Sequence, residues 1–402
     1  MAVKVYKNEA WHPLAGQKIR VGNQWKTIND TDRFYYNGQW YEIGEFMERQ
    51  YLYACGYSGR GQLGLDYTET SNVFTRVGTA SNWAKASAGQ YHTLAINSDG
   101  ELYACGFGDY GQLGLGDSSN RNTLTRVGTA SNWVQVSGGG EHTLAINSDG
   151  ELYACGRNNS GQLGLGDESN RNTLTRVGTA SNWVQVSAGF RHTLALNSAG
   201  ELYACGYNVD GRLGLGDKNN RDTLTRVGTA SNWVQVSAGR LHTLALNSEG
   251  ELYACGYNVD GQLGLGDSPD HSSLTRVSTA SNWTQVAAGY YHTLALNSAR
   301  ELYACGLNTI GQLGLGDKNN RDTLTRVGTA SNWAKVAAGY GHTLAINSDG
   351  ELYACGYNGS GQLGLGDESN RNTLTRVGIA SNWIQVSAGQ VHTLAIHKIE
   401  ET

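Results

Sequence analysis

ELYACGYNVDGRLGLGDKNNRDTLTRVGTASNWVQVSAGRLHTLALNSEG, residues Glu201–Gly250, is one of seven near-copies of a fifty-residue unit that runs from Tyr51 almost to the end of a 402-residue chain. A period of this length points to a solenoid, an array or a propeller. Short β-rich runs alternate with Gly, Asn, Asp and Ser and no helical period appears, so each unit reads as four strands. In the quoted copy they are Glu201–Cys205, Leu224–Val227, Trp233–Ser237 and His242–Asn247. Along His242–Leu246 large side chains alternate with small ones, as expected of a strand whose two faces meet different partners.

The links between apolar runs place the strands in order. Asp99–Gly100, Asp149–Gly150 and Asp349–Gly350 are tight-hairpin signals, because both residues tolerate positive φ. Ala299–Arg300 lacks the glycine and is expected to be the most strained of these turns. Each sheet then runs WVQVSA, HTLAL, ELYAC and LTRV from the inside outward. The array begins with a third strand, Tyr51–Cys55, and ends with a second strand, His392–Ile396, so the two ends complete one shared blade. Such a clasp removes open sheet edges. The expected fold is all-β: a seven-bladed β-propeller of four-stranded antiparallel blades.

GQLGLG, the HTLAL strand and the Cys-Gly after the next strand resemble the repeat of the regulator of chromosome condensation family over residues 51 to about 397. The resemblance implies a seven-bladed propeller. It does not fix function, because that family's propeller serves as an exchange factor, an enzyme inhibitor or a binding module. The exchange factor's basic tail and inserted wedge have no counterpart among repeats of equal length.

Composition narrows the function classes. The 30 Lys+Arg against 35 Asp+Glu leave a formal charge of −5, with no basic block suited to phosphates, so nucleic acid is not an expected partner. No apolar run reaches the ~20 residues that span a bilayer, and MAVKVYKNEAW lacks a signal-peptide core. The expectation is a soluble protein made in the cytoplasm, without membrane insertion.

Every candidate for chemistry is copied around the ring, whereas an active site needs different groups converging. The seven cysteines, Cys55 to Cys355, share one place in successive units. Sheets about 10 Å apart put them beyond the ~7 Å Cα limit for a disulfide, so they read as buried small apolar residues. His92 and its six equivalents read as buried residues bonding backbone at blade junctions, and Trp83 and its equivalents as core. Asp217–Asp222 scatters oxygens as calcium loops do but lacks their glycine and final Glu. No enzyme activity, cofactor or metal is expected.

The copies differ mainly at two places. Before each His stand Gln90–Tyr91, Gly140–Glu141, Phe190–Arg191, Arg240–Leu241, Tyr290–Tyr291, Tyr340–Gly341 and Gln390–Val391. After each Cys-Gly stand Tyr57–Arg60, Phe107–Tyr110, Arg157–Ser160, Tyr207–Asp210, Tyr257–Asp260, Leu307–Ile310 and Tyr357–Ser360. In an up-and-down blade both loops lie at one end of the disc, while the NSxG hairpins and VGTASNW connections at the other end scarcely change. One-sided variation rich in Tyr and Arg suits a contact surface. The expected partner-binding residues are Tyr57, Arg60, Gln90, Tyr91, Phe107, Asp109, Tyr110, Glu141, Arg157, Phe190, Arg191, Tyr207, Asp210, Arg240, Leu241, Tyr257, Asp260, Tyr290, Tyr291, Leu307, Ile310, Tyr340, Tyr357, Gln390 and Val391. The competing reading is simple tolerance of change at loop tips.

The first fifty residues have their own rhythm of strand, tight turn and Trp: Val5–Trp11, Arg20–Trp25 and Tyr35–Trp40. A module of residues 1–43 is too small to bury a core alone and is expected to dock on other structural proteins or on copies of itself, making a homo-oligomer; 44–50 reads as linker and 51–402 as propeller. These hairpins resemble segments of bacteriophage tail and other virion proteins. The resemblance implies a receptor-binding protein that displays its variable face to a protein or glycan on a host. The alternatives are an inhibitor or regulator capping an enzyme or small GTPase, and a structural spacer.

Overall fold

The computed structural model describes residues 49–399 in full and, before them, only the backbone of six short strands. Those six form three two-stranded antiparallel sheets, Lys4–Lys7 with Ala10–Pro13, Lys18–Val21 with Gln24–Thr27, and Arg33–Tyr36 with Gln39–Glu42. Trp11, Trp25 and Trp40 stand opposite Tyr6, Arg20 and Tyr35. The turns at 8–9, 22–23 and 37–38, and most of the expected linker, lie outside the described residues. By contact density the chain divides into Met1–Gln50 with Lys398–Thr402, and Tyr51–His397.

The second unit is a seven-bladed propeller of four-stranded antiparallel sheets, and every regular element among the described residues is a strand. One blade contains, from the axis outward, Trp233–Ala238, His242–Asn247, Leu252–Gly256 and His271–Arg276. The repeat frame and the blade are offset, so each fifty-residue copy ends one blade and begins the next. The closing blade joins Trp383–Ala388 and His392–Ile399 to Arg49–Gly56 and Ser71–Arg76.

The alternation in HTLAL determines how blades stack. Leu244 and Leu246 point forward into a cluster with Trp283 and Val286 of the next blade. Ala245 points back into a cluster where Leu194 and Leu196 of the preceding blade project. Large thus meets small at the two interfaces, and the second strand is buried along its whole length. Burying each such leucine is worth about 1.5–3 kcal/mol. Trp233 is 7% exposed and meets Tyr253 edge-on at 5.2 Å, while Tyr253 donates to Glu251, which also pairs with Arg276.

Two strands differ in extent from the expectation. The outer strand spans Arg221–Arg226, starting three residues before Leu224, because Arg221 pairs opposite Gly206 across a bulge and is tied to Asp217 at 2.5 Å. The third strand spans Leu202–Gly206; Glu201 instead closes the hairpin, its amide donating to Asn197 Oδ1 at 3.0 Å. Gly206 has φ +104°, and a Cβ there would lie 2.5 Å from the Arg191 carbonyl oxygen, so Cys-Gly admits no larger second residue. Arg300 takes φ +58° at the position where Gly250 has +75°. A left-handed arginine carries a strain of about 1–2 kcal/mol relative to glycine.

The histidines bond a side chain, not the backbone that sequence suggested. His242 Nε2 lies 3.0 Å from Thr293 Oγ1 of the next blade, and Thr293 spends its one proton on the Gln262 carbonyl at 2.7 Å. Nε2 therefore carries the hydrogen, and Nδ1 is left without a partner. The same bridge recurs at each interface and closes the ring from His392 to Thr93 at 3.2 Å. The buried cysteines sit beside it, with Cys205 Sγ 3.7 Å from the Gln162 carbonyl. Burial pushes the thiols up, Cys355 to about 12.

Burial pulls the histidines down, His92 and His292 to about 4 and His142, His242, His342 and His392 to about 3. The folded state holds them neutral, while the unfolded chain takes up protons below its ordinary histidine value of about 6.5. Their stabilisation is complete above that value and is lost as pH falls from there towards 4, by about 1.4 kcal/mol per pH unit for each histidine. Carboxylates such as Glu251, held low by Asn247 and Tyr253, lose theirs only further down. Denaturant midpoints should therefore hold near neutrality and fall steeply between pH 6.5 and 4.5, with uptake of several protons. His242→Gln should reduce that uptake by one. Equal midpoints at pH 7.5 and 5 would contradict the assignment.

Candidate functional site

In every blade the amide after Cys-Gly donates to the carbonyl of the residue before His, as in Tyr57 to Val391 at 2.9 Å, Phe107 to Tyr91 at 2.8 Å and Tyr257 to Leu241 at 3.0 Å. These bonds fasten the two variable loops side by side at one end of the disc. In six of the seven dipeptides the first residue hooks onto the next blade, as Gln90 N–H does on the Gly139 carbonyl at 3.0 Å. Gln90, Phe190, Arg240, Tyr290 and Gln390 thereby surround the mouth of an axial cavity of about 180 Å³ walled by Ser, Ala and Gly.

The mouth is lopsided. Tyr290 meets Tyr340 at 4.7 Å and reaches Phe190, two blades away, at 6.1 Å. Arg240 sits among them, its guanidinium carbon 5.0, 5.2 and 5.5 Å from the rings of Phe190, Tyr290 and Tyr291, and it donates to the Tyr291 hydroxyl at 2.9 Å. Arg191 rests against Phe190 at 5.4 Å. Gly140 makes room for this cluster, since a Cβ there would lie 2.7 Å from Phe190 Cδ2. Gln90 and Gln390 bond each other by their side chains elsewhere on the rim. Burial raises the Tyr290 hydroxyl well above its usual range, and that oxygen has no hydrogen-bond partner.

Further out a strip crosses three blades. Arg60 lies over Phe107 at 5.0 Å, Phe107 meets Tyr110 at 5.9 Å, Arg157 covers Tyr110 at 4.8 Å, and Arg157 pairs with Glu141 at 2.6 Å. Each cation–ring contact is worth about 0.5–1 kcal/mol at such sites. Elsewhere Asp260 is raised by burial, and Tyr257 is raised by burial and then by Asp260. Tyr91 is raised mainly by burial. Ile310 and Tyr357 fill the space above Gly341, while Leu241, Leu307 and Val391 are half-buried.

Among the expected contact residues only Tyr57, Arg60 and Asp109 are exposed. The others are half-buried against one another. The premise that the variable aromatics stand free is thus corrected: Phe190, Tyr290 and Tyr340 first serve to close the mouth. More of the outward apolar surface comes from Val209 and Val259, 49% and 61% exposed, which the expected site passed over although Asn-Val-Asp recurs there.

Arg212 was missed as well. Six copies carry glutamine at the second position of GQLGL and one reads GRLGL. In the others the glutamine Oε1 accepts the amide two residues earlier, as Gln262 does from Asp260 at 3.1 Å. Arg212, 1% exposed, instead pairs with Asp210 and donates to the Arg240 carbonyl at 2.9 Å, with its guanidinium carbon 4.8 Å from the Tyr207 ring. Burial lowers its pKa and Asp210 opposes that. The Nε atoms of Arg191, Arg212 and Arg240 are all buried without partners.

The oxygen-rich loops have internal partners: Asp217 accepts Asn219 N–H at 2.8 Å and pairs with Arg221. No group of His, Cys, Asp and Glu among the described residues is arranged to hold a metal, and no helix is long and apolar enough to cross a membrane.

A ring of four-stranded blades built from one repeat, constant between blades and variable at one end, defines a repeat β-propeller. The sequence pattern of the RCC1-like domain matches residues 173–401, and that of the regulator of chromosome condensation (RCC1) repeat matches 51–96, 99–146 and 149–196. The chain belongs to the RCC1-like domain family. Among solved structures it is similar to Prp20p from Saccharomyces cerevisiae, with a TM-score of 0.80 and 23% identity over 89% of this chain and 93% of that one. It is also similar to a chain of the complex of Kap60 with yeast RCC1 (Prp20), at 0.80 and 21% over 89% and 91%. Human WBSCR16 follows at 0.78 and 23% over 87% and 98%. At these identities the likeness is one of fold. No curated protein matches the sequence.

Arg212→Gln restores the repeat and removes a buried charge, so folding stability should stay within about 1 kcal/mol of the parent or rise. Arg212→Ala leaves the Arg240 carbonyl and Asp210 without their donor and should cost about 3 kcal/mol. Chemical denaturation of both variants checks the contrast; equal losses would mean that the ion pair does not govern this sector.

Proposed function

We propose that the propeller is a non-catalytic, protein-binding regulator that receives its partner on the variable end. The observation that carries this reading is internal to the chain: seven copies hold their junctions fixed and differ where two loops per blade meet. That end offers what protein interfaces use, aromatic and arginine side chains already ordered by their neighbours, with exposed tips at Tyr57, Arg60, Val209 and Val259. Pre-ordering lowers the entropic cost of docking. A flat end of this kind can supply the roughly 800 Å² per partner of a standard interface.

The related folds support a protein ligand. Prp20p was described together with its binding to Gsp1p and histones, and yeast RCC1 in complex with Kap60. The virion and host-receptor reading rests on residues 1–43 alone, and the family matches begin at residue 51. A glycan ligand likewise draws no support from them.

Photo-crosslinking in native cells tests the proposal. A crosslinker at Val259 should give a discrete protein adduct, and one at Ser231 on the opposite end should not. Combining Tyr57→Ala, Arg60→Ala, Val209→Ser and Val259→Ser should weaken binding of the adduct protein by about tenfold or more, as expected when interface anchors are lost. Equal adducts at both ends, or full affinity in the combined variant, would overturn it.

A further inference from the structure

The end opposite the variable loops is nearly constant, and four of its departures gather at one place. The second residue of the inner strand is Val134, Val184 and Val234 in three successive blades but Thr284 and Ala334 in the next two. These shorter side chains leave open a groove of about 890 Å³, whose lining includes Gln235, Thr284, Gln285, Arg300, Ala334 and Lys335. Thr284 turns its hydroxyl onto the Leu296 carbonyl at 3.3 Å, leaving the groove unfilled. Lys335 stands where most copies have Gln, and Arg300 where the others have Gly. Four departures from the repeat thus line one cavity.

Arg300 is the most telling of them. It holds the left-handed backbone that its neighbours reserve for glycine, at φ +58°, and its side chain is exposed. Its guanidinium makes no hydrogen bond, ion pair or ring contact among the described residues. Strain kept without a structural contact in return is a mark of function. Lys335 gives one donor to the Ile384 carbonyl and retains two. No carboxylate lines the groove itself; Asp349 follows the lining residue Ser348, and Glu301, which follows Arg300, is occupied by Asn297 at 2.8 Å and by Arg326 at 2.9 Å.

We infer that this groove is a binding site for a small organic anion, held by Arg300 and Lys335 through its phosphate or carboxylate oxygens. A guanidinium offers two parallel N–H donors to such a group, and an ammonium adds a point charge. Gln285 supplies an amide, and Val234, Leu246 and Trp333 an apolar wall for the rest of the molecule. The volume falls within the range of small-molecule sites, about 300–1,000 Å³. The site is separate from the protein-docking end and does not rest on that reading.

Titration calorimetry of the full chain with pyrophosphate, citrate and AMP tests the inference. At least one should bind in the micromolar range; pyrophosphate or AMP without citrate assigns a phosphate, and citrate alone a carboxylate. Arg300→Gly restores the repeat, so its thermal midpoint should rise, by about 2 °C or less, while affinity falls about tenfold or more. Lys335→Gln should also weaken binding. Lys85→Gln should not, because Ala84–Lys85 repeats the pair but Gln50 stands at the position, relative to Lys85, that Arg300 holds relative to Lys335. Absence of binding by all three probes, or undiminished affinity in Arg300→Gly, would overturn the inference.

Discussion

Adjacent blades are joined at depth by a proton-ordered bridge, from histidine Nε2–H to a threonine hydroxyl and from that hydroxyl to a glutamine or arginine carbonyl. It satisfies the buried threonine and the loop carbonyl together, so the loop after Cys-Gly is tied to the next blade as firmly as to its own. Unmade, each of these groups would cost about 1–3 kcal/mol. Side chains of the inner strands complete the junction, as Ser187 Oγ accepts Ala238 N–H at 2.9 Å and Gln185 Oε1 accepts Val236 N–H at 3.1 Å. Blades therefore need no continuous backbone ladder between them. A propeller so built is close to a sum of nearest-neighbour terms closed on itself.

Fixing the junction leaves the loop ends free to differ. The mouth can hold Phe190 and Tyr290 in one sector and the Gln90–Gln390 pair in another because the tips are anchored through backbone. Even a buried arginine in place of glutamine is accommodated, since Asp210 and the Arg240 carbonyl take up its charge and donors. The opposite end varies less, and around the groove its departures lose volume at Thr284 and Ala334 and accept strain at Arg300.

Much of the fold was legible in sequence because it depends on contacts whose spacing is short or repeats. Asp-Gly hairpins, alternation in HTLAL and the phase of the first and last strands each follow from local geometry, and the structure reproduces the sheet order and the shared blade. The strained turn at Arg300 was legible too, for glycine was visibly missing. What could not be read were contacts between copies. The threonine that receives His242 lies 51 residues away among equally invariant neighbours, and Phe190 touches Tyr290 across the mouth at a separation of a hundred, so the repeat pattern singles out neither pair. The expected surface residues were therefore found together, but their half-burial was not foreseen. Arg212 was visible as one altered letter, and only its burial gives that letter meaning.

The shared blade also ties folding to the order of synthesis. Of the propeller's strands Arg49–Gly56 emerges first but belongs beside His392–Ile399, which emerges last. Until then the growing propeller is an open arc whose first strand, paired with Ser71–Arg76, has its other edge open, and whose last blade has an uncovered face. Six junctions can form one after another as copies appear, whereas the seventh joins groups such as Ala86 N–H and Gln385 Oε1 that lie 299 residues apart. Such distant pairing is slow, and exposed edges favour association with other chains while it is awaited. The newborn protein is thus most vulnerable in the interval before its ends meet.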